Sequence, residues 1–454
     1  MEYKLTDRQQ TIYDGVTTDI EEALVGDLFV EHTFLSISGP AGTGKTFLSK
    51  AIVNNLINDS HLKVAVLAPT HKALKVIKNN IELDHINLTY ATVHSFLGLK
   101  PKIDNKTGIQ TFVKDKSKDV NKMAKLKVDV MIIDESSFIS TSLFEHIKKE
   151  LLVYNRVKVV LFLGDKLQLL PVEDSQRLDE VSVKAKSAIF NTSGEDIINH
   201  YELTDVIRNG NTEVLDFYTR VRNFVEMGAS KQDLYHFLRQ EQDDPSHKKV
   251  VFFDNKQEFV KQYIAKDRTK DESDVIVTFT NENVISYNKS IRNYYLRKHL
   301  DNIPELSLED LFVVQSASEE FVNSETIELK SFIDSDINYM GKVFKGYVCT
   351  TTDGRRFNYI KEESKDDYER AKELLKVNAI KKKEGAAWKL YYELVGLFLE
   401  VKYVYSCTCH KSQGSSYENV YVDMSKLNYV DDDTLLRLFY VAITRSKDSV
   451  YILL

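Results

Sequence analysis

Cysteine and proline are both rare in this chain. Cys349, Cys407 and Cys409 are the only cysteines. Three are too few for a disulfide framework or a four-cysteine zinc site, and they suit a reducing cytosol, the host cytoplasm if the source is viral. Only six prolines occur in 454 residues, and none follows Pro304. No apolar run approaches the ~18 residues that span a bilayer, so no membrane partner is expected. The polar opening Met-Glu-Tyr-Lys-Leu-Thr-Asp is unlike a secretory leader. Nor is there a general excess of positive charge. Lys and Arg number 61 against 68 Asp and Glu, a net charge of −7, so any nucleic acid must be held in a local groove. Repeats and low-complexity tracts are missing too. What remains is a globular composition, 43% apolar and 28% charged, with room for about two to four domains.

The few prolines fall in telling places. Pro40, Pro69 and Pro171 sit in or beside candidate ligand loops, where a fixed φ helps hold a shape. Pro40 belongs to Gly39-Pro40-Ala41-Gly42-Thr43-Gly44-Lys45-Thr46, a phosphate-binding loop by residue type and spacing. Its glycines let backbone N–H groups curl around phosphate oxygens where a Cβ would clash. Lys45 reaches the β- and γ-phosphates, and the Thr46 hydroxyl ligates Mg²⁺. A helix from Phe47 to Ile57 follows, its positive N-terminus aimed at the same anion. ATP with Mg²⁺ is the expected ligand.

Around this loop the first ~200 residues alternate β-rich runs with amphipathic helices, which argues for an α/β fold with a parallel sheet. Strands are expected at 33–38, 63–68, 128–133 and 157–163, each ending in a loop with Gly, Pro, Asp or Thr. Ligands bind at such carboxyl ends. A second α/β unit is expected from 196, with strands at 275–279, 420–423 and 450–454 and helices at 283–295 and 433–445. It is interrupted over 298–401 by a β-containing insertion with a hairpin at 345–360, a charged helix over 362–382 and an aromatic stretch over 388–398. The expected domains are therefore 1–195, then 196–297 with 402–454, then the inserted 298–401.

Asp134 and Glu135 end the apolar strand 128–133. Carrying two acids to a sheet rim is costly and needs a reason. Beside a phosphate loop, Asp134 assists Mg²⁺ and Glu135 polarises the attacking water. Gln168, in Gly164-Asp165-Lys166-Leu167-Gln168, either closes a plain turn or orients that water, and its place on the next strand favours the second reading. Gln9 either belongs to a capped helix start or reads an adenine edge with one donor and one acceptor. Arg208 and Arg445 are candidate arginine fingers from the second unit, stabilising charge on the transferring phosphoryl group.

Ten motifs in order make the resemblance specific. They are Leu-Thr-x-x-Gln at 5–9, the loop at 39–46, Ala-Pro-Thr-His at 68–71, Ala-Thr-Val-His-Ser at 91–95, Asp-Glu-Ser-Ser at 134–137 and Gly-Asp-x-x-Gln-Leu-x-Pro-Val at 164–172. Leu-Thr-Asp-Val-Ile-Arg at 203–208, Phe-Thr-Asn at 279–281, Thr-Cys-His-Lys-Ser-Gln-Gly at 408–414 and Tyr-Val-Ala-Ile-Thr-Arg at 440–445 complete the set. In these the chain resembles superfamily 1 DNA helicases of the RecD/Dda-like subgroup along nearly its whole length. Leu170 and Ile443 depart from the common pattern, but neither carries a catalytic group.

The resemblance implies two RecA-like motor domains that close on ATP. It implies a β-hairpin pin inserted at about 100–127 and a small SH3-like β-barrel with a helical arm in the second motor. It adds Gln413 and Gly414 to the nucleotide site. It places Pro69, Thr70, His71, Thr92, His94, Thr408 and His410 on loops that contact single-stranded DNA, binding phosphates without reading sequence. For His71 and His94, helix capping or core packing is the alternative. The implied activity is that of a monomeric, DNA-stimulated ATPase that translocates 5′→3′ and unwinds forks, with single-strand-binding protein or replication and recombination factors as partners. A translocase that only displaces proteins, an ATP-switched loader and an RNA substrate are the rivals.

Residues 100–127 hold nine lysines, with two short strands expected around a 105–108 turn. Phe112 either stacks on a base at the fork, worth about 1–3 kcal/mol, or folds under a solvated loop. Trp388, Tyr391, Tyr392 and Phe398 either brace that pin or form an ordinary helix-to-sheet core.

Overall fold

In the computed structural model, residues 4–25, 33–58, 60–103, 110–115, 126–169, 189–190, 199–205, 212–244, 246, 248–266, 271–318, 320–427 and 429–454 are described. Six strands form one parallel sheet, in the order Leu88–Thr92, Val64–Ala68, Val130–Ile133, Val159–Gly164, Thr33–Ser38 and Asn199–Glu202. The strands Val64–Ala68, Val130–Ile133 and Val159–Gly164 are buried at every residue. That is why they read as unbroken Val/Ile/Leu runs rather than alternating ones: helices cover both faces. Helix Lys45–Asn58 buries Leu48, Ile52, Val53, Leu56 and Ile57, the helical spacing of a core-facing stripe.

A second parallel sheet runs in the order Ser406–Thr408, Asp274–Thr278, Tyr417–Asp423, Ser446–Leu453 and Val250–Phe253. Helix Asp432–Ile443 is started by Asp431, whose side chain accepts the Thr434 N–H, and it is buried almost all round. The third sheet is antiparallel, in the order Arg356–Ile360, Lys342–Thr351, Thr326–Tyr339, Leu311–Val314 and Val401–Tyr403. Its longest hairpin turns at Met340-Gly341, with φ of 51° and 82°, the left-handed pair that a two-residue turn matching strand twist requires. Near its edges, the Leu399 N–H donates to the Asn358 carbonyl.

Two expected boundaries move. Strand Asn199–Glu202 pairs with Thr33–Ser38, so the first unit runs past residue 195, through Leu203 in its core. Strand Val401–Tyr403 pairs with Leu311–Val314, so the insertion ends after 401. Short edge strands of this kind carry too few residues for periodicity to show. The charged helix spans Glu362–Lys382 and a second covers Gly385–Val395. Trp388 is buried with Ala379 and Ala387, with Tyr391 and Tyr392 against them, where the two helices meet. Phe398 packs with Ile337, Phe344, Tyr368 and Leu394 as a helix-to-sheet core. Among the described residues, no helix is long and apolar enough to cross a membrane.

Candidate functional site

The loops at the carboxyl ends of the first sheet carry the chemistry. Gly42 and Gly44 have φ of 89° and 78°, the left-handed region where only glycine is unstrained. Gly39 is constrained differently: a Cβ there would lie 2.8 Å from Leu203 Cβ and 3.0 Å from the Leu203 carbonyl. Lys45 Nζ donates to the Gly39 and Pro40 carbonyls at 2.7 and 2.9 Å. Burial pushes its ammonium below the ordinary value, against the pull of Asp165, Glu135 and Asp134.

Asp134 follows the buried strand Val130–Ile133, and its Oδ1 accepts the Glu135 N–H at 2.7 Å. Burial, then the neighbouring Glu135 carboxylate, push its pKa up to about 7. A buried acid with so little compensation, on the rim beside a phosphate loop and the Thr46 hydroxyl, fits a hard cation. Mg²⁺ takes oxygen ligands and completes its shell with phosphates and waters rather than an all-protein cage. No cluster of three or more His, Cys, Asp or Glu suited to a metal occurs among the described residues. Glu135 adopts φ 51° and ψ 39°, a left-handed conformation that is strained for a non-glycine residue.

The next loop joins this rim to the second sheet. Ser137 Oγ donates to Gln168 Oε1 at 3.3 Å. Leu167 and Leu169 bury themselves in the core of the second unit. Asp165, fully buried, accepts from Leu167 N–H at 3.1 Å, Arg222 Nη1 at 3.1 Å and the Tyr440 hydroxyl at 2.8 Å. Arg222 lies on helix Thr212–Met227, and Tyr440 on helix Asp432–Ile443. Burial alone would lower the Arg222 pKa, but Asp165 and Tyr440 together outweigh it and hold the guanidinium above its ordinary range. Arg437 Nη1 adds bonds to the Lys166 and Gln168 carbonyls at 3.2 and 3.3 Å. Beside this junction is a cleft of about 370 Å³, with Pro40 and Ala41 on one wall and Arg222, Asn223, Tyr440 and Thr444 on the other.

Several expected roles change. Gln9 does not offer a free amide: its Oε1 accepts the Thr6 N–H at 3.2 Å and its Nε2 donates to the Thr43 carbonyl at 3.0 Å, so it braces the phosphate loop. Arg445 is buried within the second unit. Its Nε donates to the Val441 carbonyl, Nη1 to the Ser415 carbonyl and Nη2 to Thr444 Oγ1, at 3.1, 3.5 and 3.3 Å. All three of these bonds stay within the second unit. Gly414 lies against Ala73 of the first unit, not the phosphate loop. Gln413 Nε2 and Ser415 Oγ nearby are buried without a partner among the described residues. Arg208, Pro171 and the 105–108 turn lie outside those residues. Arg222 was missed altogether; a lone Arg on an amphipathic helix carries no sequence signal.

Thr70, Thr92 and Thr408 each use the hydroxyl oxygen as a helix N-cap, for Ala73, Ser95 and Lys411 N–H groups respectively. The hydroxyl hydrogen stays available to a phosphate. Pro69 and Thr70 follow strand Val64–Ala68, and His71 opens an 11-residue helix and is exposed. His410 is exposed too. The His94 ring lies 4.3 Å from the Phe112 ring. Phe112, 38% exposed, sits on the second strand of the hairpin Leu99–Ile103 and Gln110–Lys114.

Comparison with known proteins adds to this geometry. Residues 21–174 match the AAA domain family and residues 403–453 the UvrD-like helicase C-terminal domain. The ATP-dependent DNA helicase dda of Enterobacteria phage T4 is 24% identical over 478 residues, covering 98% of this chain and 98% of that protein. An uncharacterized protein, R530, of Acanthamoeba polyphaga mimivirus is 25% identical over 462 residues, covering 87% of this chain and 90% of its own. In fold the chain is similar to Pif1 helicase from Bacteroides in complex with ADP-AlF3 and ssDNA. The TM-score is 0.54 at 16% identity, over 99% of this chain and 92% of that one.

Proposed function

Because the chain belongs to the superfamily 1 helicases of the Dda and Pif1 kind, we propose that it is a motor driven by ATP hydrolysis that tracks 5′→3′ along single-stranded DNA and parts the strands at a fork. One observation carries this reading: a phosphate loop on one parallel-sheet unit faces a cleft whose other wall is a second parallel-sheet unit, with Asp165 bonded across the junction. A site divided in this way is completed only by closing, and closing is what converts hydrolysis into movement.

In this mechanism Lys45 leaves the Gly39 and Pro40 carbonyls for the β- and γ-phosphates. Thr46 and Asp134 would hold Mg²⁺, which would supply charge neutralisation on the phosphate oxygens. Glu135 takes the proton of the attacking water, and Gln168, tied to Ser137, holds that water in line. Arg208 and Arg445 come to the transferring phosphoryl group on closure, Arg445 by exchanging its weak carbonyl bonds for charge-assisted ones. Gln413 brings its unpartnered Nε2 with it. Thr70, Thr92 and Thr408 donate hydroxyl hydrogens to the DNA backbone from both units, so each closure shifts the grip. The paired strands Leu99–Ile103 and Gln110–Lys114 belong to the pin, Phe112 is its stacking face, and the inserted antiparallel sheet is an SH3-like barrel. The protein acts as a monomer, with single-strand-binding protein or replication and recombination factors as partners.

The test is unwinding of forks with a single 5′ or 3′ tail, with ATP and Mg²⁺. Opening only from a 3′ tail overturns the polarity. Rapid DNA-stimulated turnover with no unwinding from either tail, but with displacement of a bound protein, points instead to a translocase. An absence of multiple turnover points to an ATP-switched loader.

A further inference from the structure

The base of the hairpin is tied to the body of the first unit through a buried carboxylate. Glu150, on helix Thr141–Leu152, is 1% exposed. It pairs with Lys114, the last residue of the hairpin, and with Arg156. Arg156 in turn donates to the Leu126 carbonyl at 3.0 Å and to the Phe96 carbonyl at 3.4 Å. Phe96 lies in helix Val93–Leu97, which carries His94. One buried node therefore joins the hairpin, the chain that follows it and the short helix below it.

Other contacts stiffen the same piece. Gly98, with φ 63°, ends helix Val93–Leu97 and leads directly into the hairpin, whose far side returns through the Asp115 N–H to the Gly98 carbonyl at 2.9 Å. Lys100 pairs with Asp115. The Lys114 ammonium lies 4.7 Å over the Tyr154 ring. His146 is one helical turn before Glu150, on the same face, and its ring meets the Phe112 backbone. None of these residues belongs to the ATP cleft.

We propose that Glu150 is a positioning residue for strand separation: it fixes the hairpin to the His94 helix, so that the Phe112–His94 face and the DNA-gripping loop move as one body. A two-stranded hairpin alone is marginally stable and would bend under the load of a duplex. Bolted at its base to a buried carboxylate it transmits force. This inference rests on the helicase reading above.

Lys114→Met is the sharper variant, because it removes the hairpin's ion pair and leaves the Glu150–Arg156 pair intact. Glu150→Gln, which strands two cations at once, risks the fold and serves as a second variant. A nitroxide on Lys102→Cys, at an exposed hairpin position, reports hairpin motion by electron paramagnetic resonance. In Lys114→Met the label should become more mobile. Unwinding per ATP should fall roughly tenfold to a hundredfold, the scale on which ångström misplacement acts. DNA-stimulated ATPase should stay within about twofold of wild type, and Lys114→Arg should restore unwinding. Unchanged label mobility, unchanged unwinding, or an equal fall in ATPase each overturns the proposal. If the wild-type protein unwinds neither fork, the helicase reading fails and the positioning role falls with it, while the label still shows whether the tether exists.

Discussion

Asp165→Asn tests the junction between the two units. Asp165 Oδ1 and Oδ2 bond Arg222 at 3.1 Å and Tyr440 at 2.8 Å, and both partners are buried with it. Asparagine keeps the shape and can still accept the Leu167 N–H, but it removes the charge. Breaking a buried pair by removing one partner costs about 3–5 kcal/mol. Arg222 retains Glu226 at 3.1 Å and Glu202 at 4.0 Å, both partly exposed, so a cost just below that range, about 2–3 kcal/mol, is expected. At about 1.4 kcal/mol per factor of ten, the engaged arrangement should lose roughly 30- to 150-fold in population. Fluorescence energy transfer between dyes on Asn54→Cys and Gln232→Cys, one on each unit, measures the separation. DNA-stimulated ATPase should fall with it. A second consequence concerns Lys45, for which Asp165 is the largest influence raising its pKa. Without it the ammonium loses its proton at lower pH, so ATP affinity should decline earlier as pH rises. The decisive measurement is a double-mutant cycle on unfolding free energy with Arg222→Met. A coupling below about 0.5 kcal/mol, the scatter of independent sites, refutes the reasoning.

Three further outcomes follow from the site. Glu135→Ala and Glu135→Gly should both bind ATP and barely turn it over, but in chemical denaturation the glycine variant should be more stable by about 1 kcal/mol, because it relieves the φ of 51°; equal stabilities would remove the strain. Asp134 takes up its proton near pH 7 in the folded, metal-free protein, against 3.8 in the unfolded chain. The folded state thus binds more protons between those values, and its contribution to stability is full below about 4 and lost as pH rises through 7. Asp134→Asn should therefore stabilise the metal-free protein at pH 8 by at most about 4 kcal/mol, and hardly at pH 4; a pH-independent difference in melting temperature contradicts the assignment. Gly39→Ala pushes a methyl group to 2.8 Å from Leu203 Cβ, so it should cost about 1–3 kcal/mol and weaken nucleotide binding; a neutral result in thermal melts would mean that the loop relaxes freely.

The strands that place the site were legible because they are buried on both faces and therefore strongly apolar. The 33–38 strand carries its expected bounds, and those expected at 63–68, 128–133 and 157–163 end within a residue of the observed ones. The short edge strands Asn199–Glu202, Val250–Phe253 and Val401–Tyr403 were not legible, being four, four and three residues long. Their pairing is decided by partners far along the chain. Among site residues, the phosphate loop and the acid pair announce themselves by local geometry that only certain residue types can satisfy. Gln9, by contrast, is left between a capped helix start and an adenine edge: its bond to the Thr6 N–H fits the capped start, while its bond to Thr43, 34 positions away, has no local sequence signal.

What the sequence alone determined is the set of local requirements: glycines where φ is positive, a lysine and a threonine at a helix start, two acids at a strand end, apolar runs for a parallel sheet. These follow from backbone sterics and burial over a few consecutive residues. What only the tertiary structure decided is who meets whom. Asp165 and Tyr440 are 275 positions apart and share a hydrogen bond; Lys114 reaches Glu150, and Arg445 turns inward instead of toward the cleft. Such choices depend on which buried charges come within a few ångströms of one another, where the loss of water makes each pairing, or its absence, costly.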